Sequence, residues 1–304
     1  MVAVVLAGGT GGAKLARGML DVVGPEGLNV IANTGDDVEV HGVHVSPDPD
    51  LVTYWLADLI DERGWGVRGD TFEVMAALEA AGRPAWFRLG DRDLAMCLVR
   101  SELLRAGERL TTAARTIARG LGIETAVLPM ADEPVRTFVR SEGAWHPFQE
   151  FMILGRAGAE VEAVELRGAD AARPTEEALA AIDQADAIVV GPSNPVISIG
   201  PILAVPGMRD ALAAAQAPVV AVSPFVGGAV VKGPTEAFCA QAGIATDARG
   251  IATAYAGLID GLVSDEPAEP LDVPARELDT LMDTPAARER VARLTLEFAT
   301  SLAA

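Results

Sequence analysis

Unbroken apolar runs recur along the chain, each ending in glycine, asparagine, serine or proline. Val2-Ala3-Val4-Val5-Leu6 leads into Gly8-Gly9-Thr10-Gly11-Gly12, and a helical pattern follows over 13–23. Leu28 to Ala32 leads into Asn33-Thr34-Gly35-Asp36-Asp37. Ala187-Ile188-Val189-Val190 leads into Gly191-Pro192-Ser193-Asn194-Pro195. After a helical stretch over 208–215, Val219 to Val222 leads into Ser223-Pro224. Runs that are apolar at every position predict strands buried on both faces, as in a parallel sheet covered by helices. Ligands of such sheets collect at the carboxyl ends of the strands. The middle of the chain differs. Apolar residues recur at helical spacing over 50–59, 71–81, 91–105 and 111–121, and a hairpin is predicted from 137–140 and 145–153. An amphipathic helix is expected over 285–302. The pattern predicts one α/β domain, 1–304, with a mainly parallel sheet and a largely helical insertion over 51–122.

Composition narrows the function. Of 304 residues, 50% are hydrophobic and 22% charged, ample for a buried core. The 24 Lys and Arg against 43 Asp and Glu leave a formal net charge of −19, which repels a polyphosphate backbone and excludes nucleic acid as the expected partner. Mean hydropathy is +0.28, yet the longest apolar stretches are broken by Pro192, Pro195, Pro201 and Pro224. No membrane span or secretory signal is therefore expected. Cys97 and Cys239 lie far apart and outside any CxxC pair, so both are expected to be buried hydrophobes of a reduced, cytoplasmic protein.

Two motifs carry candidate chemistry. In Gly8-Gly9-Thr10-Gly11-Gly12-Ala13-Lys14, the glycines let a phosphate approach the backbone, the helix N-terminus offers N–H donors, and Lys14 can reach an anion. The loop is neither a Walker loop, which needs Ser or Thr after Lys, nor a dinucleotide fingerprint, which needs a small residue where Lys14 stands. Its alternative is a tight turn without a ligand. The second motif is acidic: Asp36, Asp37, Asp48 and Asp50 fall within 15 residues. Clustered carboxylates beside a phosphate loop suggest Mg²⁺ bridging carboxylate and phosphate oxygens. Helix capping by Asp48 or Asp50 and an Asx-turn at Asp36 or Asp37 are the structural alternatives. His41 and His44, three apart in an expected strand, point to opposite faces and do not form a metal pair. Asp91 is expected to cap a helix, and Arg88 and Arg92 either clamp an anion or pair on the surface. Trp65 either stacks on a planar ring or packs. No G-x-S-x-G supports a hydrolase.

These motifs, with Arg63-Gly64-Trp65-Gly66, Leu89-Gly90-Asp91-Arg92-Asp93, Leu128-Pro129-Met130, Phe148-Gln149-Glu150, Ser198-Ile199-Gly200-Pro201 and Val222-Ser223-Pro224, occur in an order that resembles the 2-phospho-L-lactate transferase family of coenzyme F420 biosynthesis. The resemblance implies a Rossmann-like sheet with an added lobe, Mg²⁺ dependence and a homodimer. It implies attack of the ribityl hydroxyl of the deazaflavin Fo on a guanosine diphosphate-linked donor. That donor carries a lactyl, enolpyruvyl or glyceryl group on its distal phosphate, and GMP leaves. The deazaflavin positions fall on Asp50 and Arg88, and the metal positions on Asp36 and Asp50. Arg88 stands where relatives carry Lys, and Pro49 where they carry Leu. Asp50 would orient the Fo hydroxyl or take its proton. Gly9, Thr10, Gly11, Gly12, Lys14, Ser193, Asn194 and Ser223 become candidates for donor phosphate and nucleotide contacts. A regulatory family with a similar glycine loop, which binds nucleotide sugars, and a sugar-nucleotide nucleotidyltransferase are the rival readings.

Overall fold

The structure, a computed structural model, describes residues 1–155, 158–230, 233–266 and 271–303. The chain opens with β1 (Ala3–Ala7), α1 (Gly9–Val23) and β2 (Leu28–Ala32), a strand–helix–strand unit. A short hairpin, β3 (Val38–Val40) and β4 (Val43–Val45), precedes α2 (Pro47–Leu56), α3 (Glu73–Ala80), α4 (Asp91–Arg105) and α5 (Leu110–Gly120). Then come β5 (Ala126–Pro129), β6 (Arg136–Ser141), β7 (Ala144–Pro147), α6 (Phe148–Ile153), β8 (Ala163–Arg167) and α7 (Glu176–Asp183). The second half runs β9 (Ala187–Val190), α8 (Ile199–Ala204), α9 (Met208–Ala214), β10 (Val219–Val222), β11 (Phe225–Val226) and β12 (Ala229–Val230). It closes with α10 (Thr235–Ala242), α11 (Ala248–Ala254), β13 (Gly261–Ser264), β14 (Ala275–Glu277) and α12 (Pro285–Leu302).

Seven strands form one parallel sheet in the order β14-β13-β10-β9-β1-β2-β5, the α/β fold that the apolar runs predict. Successive side chains of a strand point to opposite faces. Val4, Leu6, Ile188 and Val190 accordingly pack on one side, against α8, α9 and α11. Ala3, Val5, Ala7 and Val189 pack on the other, against α1, α2 and α12. Helices α1 and α12 approach closely: a Cβ on Gly18 would stand 2.3 Å from the Arg288 carbonyl oxygen. The β3–β4 hairpin, α3 and α4 enclose a separate small core around Val43, Met75, Phe87, Leu94 and Cys97, here called the lobe. The antiparallel sheet β7-β6-β8 and α6 pack around Phe151 and Phe238.

Several boundaries differ from the sequence pattern, and three of the differences have a clear physical reason. α1 begins at Gly9, not at 13, because the glycines themselves take up the first turn. α2 begins at Pro47, not at 50; proline has the φ of a first helical residue and needs no N–H there. The expected second hairpin strand, 145–153, is a strand only to Pro147. Phe148, Phe151 and Met152 then follow helical spacing, with Glu150 in the first turn of α6. No helix among the described residues is long and apolar enough to cross a membrane.

Candidate active site

From β1 the chain passes to β2 on one side, while β9 later pairs with β1 on the other. The loops after β1 and β9 therefore diverge, and the crevice at such a switch point is where these sheets bind ligands. A cavity of about 420 Å³ opens there. Gly8, Gly9, Thr10, Gly11 and Lys14 line it from the β1–α1 turn, Asp36 and Asp48 from the β2 side, and Ser193, Asn194 and Ser223 from the ends of β9 and β10. Of the expected donor-site residues only Gly12, buried beneath the loop, is not in the cavity wall.

The glycines have two different duties. Gly9 has φ +66°, a conformation that suits glycine and turns the chain into α1. Gly11 and Gly12 make room for the β9 loop. A Cβ on Gly11 would lie 2.0 Å from the Pro192 carbonyl oxygen, and one on Gly12 2.8 Å from Ser193 Oγ. Gly11→Val therefore displaces the 191–195 loop, at about 1–3 kcal/mol for overpacking, and lowers the melting temperature. A wild-type melting temperature would show that the loop yields without cost.

The acidic cluster divides in two. Asp48 accepts from Gly9 N at 2.6 Å and from Asn33 Nδ2 at 2.9 Å. Burial pushes its carboxyl up to about 6, against the pull of those two hydrogen bonds. Asp36 Oδ2 accepts from Gln149 Nε2 at 3.1 Å, and its Oδ1 is buried without a partner. Burial first, then Asp48 and Asp37, hold Asp36 well above the usual carboxylate range. The Arg136 charge opposes this, but among the described residues neither Asp36 nor Asp48 forms an ion pair, and two buried carboxylates facing one cavity are a chemical fit for a divalent metal.

Asp50 stands elsewhere. Residues two apart on a helix diverge by about 200° around its axis, so Asp48 and Asp50 cannot share a face. Asp50 turns to α4, where its Oδ1 accepts from Arg100 Nη2, and both side chains are almost wholly buried. Arg100 Nη1 also donates to the His44 carbonyl at 3.2 Å. Tyr54 donates to Asp93 at 2.7 Å, and burial with the nearby Asp50 charge raises the Asp93 carboxyl to about 7. Asp50, Asp93 and Cys97 bring possible ligand atoms within 4.8 Å of one another, but Arg100 already supplies the cation that Asp50 needs. Asp37 is fixed by Ser46 Oγ at 2.7 Å and by His44 Nε2 at 2.8 Å. His41 lies in the β3–β4 turn with its Nε2 2.7 Å from the Phe87 carbonyl oxygen, so the two histidines do not meet at a common site. Arg88 is exposed, paired with Glu79 at 3.0 Å and 5.3 Å from the Phe72 ring centroid. Arg63 lies 6.0 Å from the same ring, and Trp65 lines the cavity, so the 63–66 turn joins Arg88 to the cavity edge.

Sequence reasoning did not single out Gln149, Arg100 or Thr280. Gln149 lay within a quoted motif but had no role assigned. Arg100 sits in the middle of α4, and its burial arises from tertiary contacts, among them those to Asp50 and to the His44 carbonyl. Thr280 lies in the connection from β14 to α12, where no motif marks it. Ser193 Oγ, Asn194 Nδ2 and Thr280 Oγ1 join Asp36 Oδ1 as buried, unpartnered polar atoms on residues that line the cavity. Such a concentration is the mark of a ligand site.

Comparison with known proteins agrees with this geometry. The family 2-phospho-L-lactate transferase CofD matches residues 3–292. The phosphoenolpyruvate transferase of Kitasatospora aureofaciens is 43% identical over 312 residues, covering 97% of each chain. The 2-phospho-L-lactate transferase of Methanosarcina mazei is 37% identical over 303 residues, covering 97% of this chain and 99% of that one. A solved structure of a UPF0052-family protein from Bacillus halodurans superposes with a TM-score of 0.61 at 19% identity, over 97% of this chain and 98% of the other, which establishes a shared fold. The family match over residues 3–292 and these relatives, aligned over nearly their whole length, show that the chain belongs to the 2-phospho-L-lactate transferase CofD family.

Proposed function

We propose that this transferase moves a phospho-acid from a guanosine diphosphate-linked donor to the ribityl hydroxyl of the deazaflavin Fo, forming a coenzyme F420 precursor and releasing GMP. The observation that carries this reading is one cavity that joins an anion-receptive glycine turn to two buried, unneutralised carboxylates, Asp36 and Asp48. Gly9 N–H is taken by Asp48, and the following N–H groups of the first turn of α1, with the cavity hydroxyls, suit the donor diphosphate. Asp36 and Asp48 would hold Mg²⁺, which supplies positive charge to the diphosphate and the leaving GMP. The acceptor oxygen bonds to the distal phosphorus, the bond from that phosphorus to the GMP oxygen breaks, and the hydroxyl proton leaves to a base. We assign the acceptor to the lobe side of the cavity, where Trp65 and Arg88 stand. Asp50, clamped by Arg100, fixes the helix that carries Asp48 into the cavity.

Incubation of the protein with Fo, Mg²⁺ and each of the lactyl, enolpyruvyl and glyceryl donors is expected to give GMP and one phosphodiester product, identified by mass spectrometry. No product from any donor, together with no Fo binding, would overturn the reading.

A further inference from the structure

Lys14 lies five residues into α1 from Gly9, about 7.5 Å along the helix axis. It is half-buried, and among the described residues it has no hydrogen bond or ion pair; its ammonium stands 6.0 Å from the Trp55 ring centroid. The Arg288 guanidinium lies 5.1 Å from that ring, and its buried Nε has no partner. Burial, and then the Arg288 charge, hold the Lys14 amine below its ordinary value, with Asp283 opposing them weakly. A cation in this state gains from an incoming anion. The cavity that Lys14 lines is also lined by Thr280, Leu281 and Met282, between β14 and α12, and the charge of Asp283, next along that connection, acts on Lys14. Thr280 is 3% exposed, and its hydroxyl is a hydrogen-bond donor without an acceptor.

The glycine turn and the acid pair already suit the diphosphate and its metal. A guanosine diphosphate-linked acid carries one further anion, the carboxylate of the acid. We infer that Thr280 and Lys14 form the subsite that receives this carboxylate, so that Lys14 serves the acid rather than the donor phosphate that the sequence suggested for it. The inference rests on the proposed function and adds the group that the site recognises on the transferred moiety. Lactyl, enolpyruvyl and glyceryl groups share the carboxylate and differ around it, so this corner selects acid-bearing donors as a class.

Titration of GDP and of the acid-linked guanosine diphosphate separates the subsites. Thr280→Val keeps the side-chain shape and removes the hydroxyl; Lys14→Met keeps the stem and removes the charge. A lost hydrogen bond to a charged group predicts about tenfold weaker binding of the acid-linked donor to each variant, with GDP affinity within about twofold of wild type. Thr280→Ser restores donor affinity, and unchanged melting of Thr280→Val shows that packing is intact. Equal losses for GDP and donor would place the nucleotide phosphates at this corner and overturn the inference. Unchanged affinity for both would overturn it as well. If the wild-type protein binds no guanosine nucleotide, the proposed function itself fails.

Discussion

Asp36→Asn lowers turnover at least about tenfold at pH 7.5, equivalent to about 1.4 kcal/mol of transition-state stabilisation, and at the same pH raises the melting temperature of the ligand-free protein. Both effects have one origin. The Asp36 carboxyl is buried beside Asp48 and Asp37, so its folded-state pKa lies above that of the unfolded chain. The stability of the protonated form is fully present below the unfolded value of about 4 and is lost as pH rises through the folded value. Asparagine retains the shape and can accept the Gln149 hydrogen bond without the charge. Its stabilising effect is therefore absent near pH 4 and present at pH 7.5. On the proposed Mg²⁺ site at Asp36 and Asp48, the ion would relieve the same repulsion, so added Mg²⁺ is expected to raise the wild-type melting temperature at pH 7.5 and to do so much less in Asp36→Asn. Thermal unfolding at the two pH values, with and without Mg²⁺, reads each part. Full turnover of Asp36→Asn in chelator-treated buffer would remove Asp36 from the metal site.

Arg100→Leu is the most destabilising substitution expected, at about 3–5 kcal/mol, because it leaves Asp50 buried and ionised without its partner. The Asp37 charge also acts on Arg100, as do Asp50 and Cys97, so the guanidinium serves more than one acidic group. Adding Asp50→Asn to Arg100→Leu removes the stranded charge and recovers a substantial part of the loss. Urea unfolding of the two single variants and the double variant measures the coupling. A cost below about 1 kcal/mol for Arg100→Leu would mean that Asp50 takes up a proton or reaches water at little expense.

The sheet was legible because its strands are buried on both faces. The apolar runs 28–32, 187–190 and 219–222 coincide with β2, β9 and β10 residue for residue. α4 over 91–105 and α12 over 285–302 also match. The cavity was legible in outline, since strand ends rich in glycine, serine and asparagine had to meet above the sheet. The partition of the acids was not. It depends on Pro47 opening α2, which aims Asp48 at the glycine turn and Asp50 at α4. The resemblance paired Asp36 with Asp50, whereas the cavity brings Asp36 together with Asp48. The Asp50–Arg100 contact joins helices 50 residues apart, and a charged residue within a helical pattern gives no local sign of burial. α6 escaped because six residues following a strand, with aromatic residues among them, read equally as a continuation of that strand.

The position of β1 also governs how the molecule can be made. Strand β1 lies inside the finished sheet, hydrogen-bonded to β2 on one side and to β9, about 180 residues later, on the other. At 5–20 residues per second, translation leaves that second edge unpaired for about 10–40 s. Helix α12, which packs against α1, arrives later still. A nascent chain stalled before residue 187 therefore presents β1 as an unpaired hydrophobic strand edge, open to chaperones and to other stalled copies, until β9 is made and pairs with it.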